Sequence, residues 1–170
     1  MSLKMLIDFQ KCQEITTKQH FFIRDGEDQQ AAYIDENFGE FEIINPKKNS
    51  LSFLKIDTCI FDSNDISRCD CAIYDENTFC FIELKCIKPK NFNKKRREAE
   101  KQLETTIVQF QQEDILQNKK KEAFVCCNCF INETKNFEPI TQRPSNNEKI
   151  VYFSEHLNTM LYYSTKKEFD

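Results

Sequence analysis

Short blocks of apolar residues separated by polar turns run along most of this chain, and their spacing sketches an α/β domain. Two strand-like runs, Cys69-Asp70-Cys71-Ala72-Ile73-Tyr74 and Thr78-Phe79-Cys80-Phe81-Ile82-Glu83-Leu84, flank the polar turn Asp75-Glu76-Asn77-Thr78. With Glu76-Asn77 as a two-residue turn, Asp75 faces Thr78, Tyr74 faces Phe79, Ala72 faces Phe81 and Asp70 faces Glu83. Strand side chains alternate, so Lys85 emerges on the face of Glu83 and Leu84 on the opposite one. A slip of one residue would separate the two acids.

The rest of the chain divides by the same criteria. Ala31, Ile34 and Phe38 lie on one helical stripe, which predicts a helix over 27–38 with Asp25 as its N-cap and Gly39 as its stop. Phe41–Ile44 reads as a short strand and 51–61 as a longer one, closed by Asp62-Ser63-Asn64-Asp65 and carrying the lone acid Asp57. Ala99, Leu103, Ile107 and Phe110, spaced four, four and three, predict a helix over 94–117. Strands are expected over 122–130 and 149–153, the second leading through Ser154 into a helix with Leu157, Met160 and Leu161. Between these two strands, 131–148 is rich in Asn, Thr, Pro and Glu and reads as a long connection.

A chain of 170 residues with 39% hydrophobic and 31% charged content suits one globular domain, 1–170, able to bury a substantial core. No apolar run approaches the about 20 residues a membrane helix needs, and 1–8 lacks the pattern of a secretion signal; a cytoplasmic protein without membrane contact is expected. The net charge of -4 argues against a general polyanion binder. Its distribution changes that picture, because 84–97 holds Lys85, Lys88, Lys90, Lys94, Lys95, Arg96 and Arg97 without an acid. A basic run adjoining the hairpin acids suits a phosphate backbone.

Two carboxylates facing each other across a hairpin repel, so a cation is the natural third member of the group. Mg²⁺ (or Mn²⁺) prefers oxygen donors, takes one or two protein carboxylates and leaves its other positions to water and phosphate. Asp70 and Glu83 would hold it, with the Leu84 carbonyl as a further ligand. Lys85 would orient or deprotonate the attacking water, or stabilise charge on the phosphate.

Asp70 followed thirteen residues later by Glu83-Leu84-Lys85 at the end of an apolar strand resembles the PD-(D/E)xK nuclease superfamily in its E-x-K form, RecB-like and restriction-endonuclease-like. Cys69 stands where the family's proline would be. The resemblance implies a restriction-endonuclease-like α/β core over about 25–130: a central mixed sheet of four to five strands flanked by helices, in the order αβββαβ. A C-terminal strand and helix over 149–164 would follow. It further implies an acid from the first helix near the metal, Glu36, with Glu40 and Asp35 as rivals. A glutamine of the next helix, Gln102, would help position the centre. The implied activity is metal-dependent hydrolysis of nucleic acid, endo- or exonucleolytic, with DNA favoured over RNA and Lys88, Lys90, Lys94, Lys95, Arg96 and Arg97 on its backbone. Specificity would then come from a homodimer or a partner subunit, since no base-reading module is visible. A silent nuclease-fold module that binds nucleic acid or a partner protein is the alternative, and a purely structural α/β domain a third reading.

The nine cysteines and two histidines narrow the chemistry. Cys59, Cys69, Cys71, Cys80 and Cys86 fall in or beside strands and read as free, small apolar residues of a reducing compartment. Some RecB-like nucleases carry an iron-sulfur cluster on one early and three later cysteines, here Cys12 with Cys126, Cys127 and Cys129. Neighbouring strand residues point to opposite faces, which disfavours that cluster. His20 and His156 sit far apart beside apolar neighbours, so zinc and His-activated nucleophile systems are not expected.

Overall fold

The computed structural model describes residues 9–26, 29–61, 67–85, 91–111, 113–131, 136–139 and 147–170, with the backbone alone for 128–131 and 136–139. Eleven strands and two longer helices follow a helical turn at 9–12. In chain order they are β1 (Gln13–Thr16), β2 (His20–Arg24), β3 (Tyr33–Asp35), β4 (Phe41–Ile44), β5 (Leu51–Lys55), β6 (Cys71–Tyr74) and β7 (Thr78–Lys85). Then come α1 (Phe92–Phe110), a short 3-10 turn (Asp114–Leu116), β8 (Lys120–Ile131), β9 (Asn136–Pro139), α2 (Asn147–Leu157), β10 (Met160–Tyr163) and β11 (Lys166–Glu168).

The first sheet runs β1-β5-β6-β7-β8-β10, with β9 paired to the far end of β8. Strands β5, β6 and β7 form an antiparallel meander; α1 then carries the chain across to β8, which lies parallel to β7, and β10 lies parallel to β8. A second sheet, β11-β4-β2-β3, stacks on one face of the first. The helices cover the other face. This is an α/β protein with a mixed sheet, as expected, but a second sheet takes the place of helices on one side.

Alternation explains the three layers. Leu54, Ala72, Phe79, Phe81, Ala123 and Val125 point toward Ala99, Leu103, Ile107 and Phe110 of α1 and Phe153 and Leu157 of α2. Their sequence neighbours Phe53, Cys71, Ile73, Cys80, Ile82 and Phe124 point toward Phe21, Ile23, Phe41 and Ile43 of the second sheet. Because both faces are covered, β7 is buried over six consecutive residues and shows almost no polar alternation.

Several sequence expectations need correction. Residues 27–38 do not form a helix: among the described residues of this stretch, β3 pairs antiparallel with β2, setting Ile34 against Ile23 and Asp35 against Phe22. Helical spacing of Ala31, Ile34 and Phe38 was real, but pairing with an apolar edge strand overrides that weak local preference. Gly39 is no helix stop either. A Cβ there would lie 2.6 Å from the Phe22 Cβ and 2.7 Å from the Ile23 carbonyl oxygen, so it permits close crossing of the backbone. The strand expected over 51–61 ends at Lys55, after which the chain turns with Thr58 at φ 63°.

At the C-terminal end the order is inverted: the helix comes first and the strand after. Ile150, Phe153 and Leu157 follow a helical stripe, and Met160–Tyr163 takes its place as a parallel strand beside β8. The long connection also contains a strand, β9. Finally, Cys59 is not a free thiol; it is disulfide-bonded to Cys12 across 47 residues of sequence, which also removes Cys12 as a cluster ligand. Cys86, the 62–65 turn and most of 132–146 lie outside the described residues. Among the described residues no helix is long and apolar enough to cross a membrane.

Candidate metal and phosphate site

The hairpin register is the expected one. Tyr74 pairs with Phe79, Ala72 with Phe81 and Cys71 with Ile82. The Asp75 N–H donates to the Thr78 carbonyl at 3.1 Å. Neither Glu76 nor Asn77 adopts positive φ; the turn is closed by the Asp75 carboxylate, whose Oδ1 accepts the N–H groups of Asn77 and Thr78 at 2.8 and 2.7 Å. Continuing the register by one rung beyond Cys71 brings Asp70 to the level of Glu83 on the α1 face of the sheet.

Three contacts fix Asp70. Its Oδ2 accepts the Leu84 N–H at 2.6 Å, and its carbonyl accepts the N–H groups of Ile56 and Asp57 at 3.1 and 3.2 Å. Leu84 therefore engages the acid through its amide while its side chain is buried toward the second sheet. Glu83 is fully buried, and Lys85 Nζ lies 2.7 Å from its Oε1. That contact is an ion pair without hydrogen-bond alignment; among the described residues Oε2 has no partner at all. A buried carboxylate oxygen with no donor is costly unless a proton or cation reaches it.

The charges act on one another accordingly. Burial first, then the charges of Asp25 and Asp57, push the Asp70 carboxyl up to about 7 against the opposing pull of the Leu84 amide and Lys85. Burial and the neighbouring Asp70 push Glu83 well above the ordinary carboxylate range, more than Lys85 offsets. Burial pulls Lys85 down, yet Glu83, Asp70 and Glu98 together outweigh it and leave the ammonium above its usual value. Lys85 thus stays protonated at neutral pH. Of the roles open to it from sequence, orienting water or stabilising phosphate charge fits this ammonium, and accepting a proton does not.

Helix α1 holds the chain just before Asp70. Gln102 Nε2 donates to the Arg68 carbonyl at 2.9 Å, and the Thr106 hydroxyl accepts the Cys69 N–H at 2.8 Å. Gln102 thus engages the chain two residues before Asp70 and not the hairpin carboxylates. Thr106 was missed, although a polar residue on the buried Ala99/Leu103/Ile107/Phe110 face was a visible signal. Arg68 stacks over Phe61 at 3.9 Å and reaches Gln109 Oε1 at 3.4 Å, tying 61 and 68 to the same helix.

Other expected residues lie elsewhere. Glu36 is exposed beyond β3, ion-paired with Lys18, at the end of the second sheet remote from Asp25. Asp35 pairs with Arg24 at 3.6 Å and caps the Asn37 and Phe38 amides. Of the three acids considered, Glu40 is the one near the hairpin: it accepts the Asp25 N–H at 3.1 Å, and its carbonyl faces Cys126 Sγ at 3.2 Å. Comparison with family models, curated proteins and solved structures finds no match.

The basic stretch is only partly available to a polyanion. Lys94 and Arg97 are exposed and Lys95 is paired with Glu98 at 3.0 Å. Arg96 is not a surface cation: it shares the buried face with Phe92, Ala99 and Leu103 and pairs with buried Glu100 at 3.2 Å, whose Oε1 also accepts the Tyr163 hydroxyl at 2.7 Å. Helical spacing from Phe92 places it there. Lys88 and Lys90 lie outside the described residues. Cys126 and Cys127 point to opposite faces, Cys126 toward the second sheet and Cys127 toward the helices. Among the described residues no three His, Cys, Asp or Glu side chains gather as a metal cage. The donor set is instead two hard carboxylates with an adjacent ammonium, the composition that suits a largely hydrated Mg²⁺ or Mn²⁺.

Proposed function

We propose that this chain is a metal-dependent phosphodiesterase acting on nucleic acid, DNA in preference to RNA, with a PD-(D/E)xK-like centre at Asp70, Glu83 and Lys85. The observation that carries the reading is Glu83: a fully buried carboxylate with one oxygen lacking any hydrogen-bond donor, on the face that carries Asp70 and 2.7 Å from the Lys85 ammonium. The strand order supports the reading, because an antiparallel β5-β6-β7 meander followed by a helical crossover to parallel β8 follows the βββαβ order expected of a restriction-endonuclease-like core.

In this reading Asp70 and Glu83 hold Mg²⁺ or Mn²⁺, which when bound polarises the scissile phosphate and acidifies its water. Asp70 is oriented by the Leu84 amide, and its backbone is pinned by α1 on one side and the 56–57 amides on the other. Lys85 places positive charge where the phosphate becomes more negative during in-line attack. Lys94 and Arg97, both exposed on α1, would contact the backbone, while Arg96 serves the core.

The test is a panel of labelled single- and double-stranded DNA and RNA incubated with Mg²⁺, Mn²⁺ or EDTA, beside Lys85→Ala and Asp70→Asn. Cleavage that needs the cation and disappears in both variants is expected. Cation-dependent cleavage that persists undiminished in both refutes the assignment. Binding without cleavage, with no Mn²⁺ heat in the parent, would instead favour a silent nuclease-fold module.

A further inference from the structure

We propose that the Cys12–Cys59 disulfide is a redox switch on the cation affinity of this centre, tight when oxidised and weakened when reduced. The inference rests on the reading of Asp70 as a metal ligand. It starts from the turn that follows β5. The Ile56 and Asp57 N–H groups donate to the Asp70 carbonyl at 3.1 and 3.2 Å, and the turn closes on itself where the Phe61 N–H donates to the Ile56 carbonyl at 3.3 Å. Between Asp57 and Cys59 lies Thr58 at φ 63°, a left-handed conformation that a β-branched residue keeps only when its surroundings enforce it. Asp57 and Thr58 are exposed, so packing of their side chains does not supply that force. Buried Ile56 and Ile60 anchor the ends of the turn, and the disulfide is the covalent hold on its middle. Its other end, Cys12, directly precedes β1, which is fixed to β5 from Gln13–Leu54 to Thr16–Leu51.

The bond is open to exchange from one side. Cys12 is 3% exposed whereas Cys59 is half-buried, so an incoming thiolate meets the Cys59 sulfur. A low-molecular-weight thiol or dithiol supplies the electrons. Its thiolate bonds to Cys59 Sγ as the Cys12–Cys59 bond breaks, and Cys12 leaves as a thiolate that takes a proton. A second thiolate then attacks the reductant's sulfur in the mixed disulfide and releases Cys59, which is protonated in turn; the products are both cysteine thiols and the oxidised reductant. Without the tether Thr58 relaxes from the left-handed region and the Asp57 amide leaves the Asp70 carbonyl. The end of β6 then keeps only its hold from α1, and the carboxylate is no longer fixed for a cation.

Calorimetric titration of the full chain with Mn²⁺ tests this, on the oxidised protein and after reduction by a dithiol that is then removed under nitrogen. Reduction is expected to weaken Mn²⁺ binding about tenfold at unchanged stoichiometry, and reoxidation to restore it. Cys12→Ser and Cys59→Ser should each bind at the reduced level whatever the treatment, which separates this bond from the free thiols. Hydrogen exchange read by mass spectrometry should show 56–61 losing protection on reduction while β7 keeps it. Equal affinity in the oxidised and reduced parent overturns the inference and leaves the Asp70/Glu83 centre standing. A response to reductant that survives in both variants does the same. Loss of protection across β7 as well would mean global unfolding and overturns it equally. No Mn²⁺ heat in the oxidised parent removes the centre itself, and the switch with it.

Discussion

Asp70→Asn should make the metal-free protein more stable, and increasingly so as the pH rises. The carboxyl is lifted from 3.8 to about 7 by burial and by neighbouring acids, so the folded state retains a proton that the unfolded chain releases above about pH 4. Stability tied to that proton is present below pH 3.8 and is lost progressively as the pH rises to about 7, where the penalty levels off. At about 1.4 kcal/mol per pK unit the full displacement corresponds to about 4 kcal/mol. Asp70 is partly open to solvent, and screening reduces the expected gain to about 2 kcal/mol at pH 8. An amide keeps an oxygen for the Leu84 N–H, so the hydrogen bond survives the substitution. Urea denaturation in EDTA at pH 4.5, 6 and 8 provides the measurement: the gain should be small at pH 4.5 and near its maximum at pH 8. Saturating Mn²⁺ should reverse the ranking, because a cation at about 100 times its dissociation constant stabilises the parent alone by about 2.7 kcal/mol. A gain independent of pH, or a parent more stable than the variant at pH 8 without metal, refutes the electrostatic reasoning.

Further outcomes follow from the same contacts. Thr106→Val strands the buried Cys69 N–H and should cost about 1–3 kcal/mol in denaturant melts while lowering Mn²⁺ affinity; unchanged stability would remove the clamp from the account. Arg96→Gln leaves buried Glu100 without its cation and is expected to destabilise by about 3 kcal/mol with little change in the salt dependence of DNA binding. Lys94→Gln combined with Arg97→Gln should leave stability unchanged and flatten the slope of log K against log salt by up to about 2, read by fluorescence anisotropy. Reducing the Cys12–Cys59 bond reopens a 47-residue span and should lower stability by up to about 4 kcal/mol; identical melts with and without reductant would show that the bond does not contribute.

The part of the centre legible in the sequence was the part governed by local rules. Period-2 alternation and a short turn gave the β6–β7 register from Tyr74–Phe79 to Cys71–Ile82, because that pairing is set within the hairpin, whereas the contacts that hold Asp70 one rung further come from α1 and from 56–57 and are not local. The helix bearing Gln102 was legible for the same reason, although its spacing was read as starting at 94 and so left Arg96 on the surface. The second sheet was not legible. Residues 31–38 carry helical spacing over a few positions only, and what decides their fate is the edge of β2, whose residues precede their β3 partners by 9 to 13 positions. With that sheet unseen, Asp25 read as a helix cap and Glu36 as an active-site acid. The Cys12–Cys59 pairing was hidden because strand-like composition around Cys59 masked the turn that begins at Ile56.

The placement of Gln102 and Thr106 follows from the repulsion they must contain. Asp70 lies one rung beyond the last paired residue of β6, where no ladder hydrogen bond from β7 restrains it, and Glu83 is fixed within β7 by pairing to β8. Mutual repulsion would swing the free end of β6 away and spread the acids. The chain opposes this from both sides: α1 grips the Arg68 carbonyl and the Cys69 amide, and the Ile56 and Asp57 amides grip the Asp70 carbonyl. None of these four contacts touches the carboxylate, so they hold position without neutralising charge and leave the acids free to bind a cation. Gln102→Ala separates these effects. If the clamp acts only by position, Mn²⁺ affinity should fall while the pH dependence of stability assigned to Asp70 remains; loss of both together would mean that the helix tunes the charge directly.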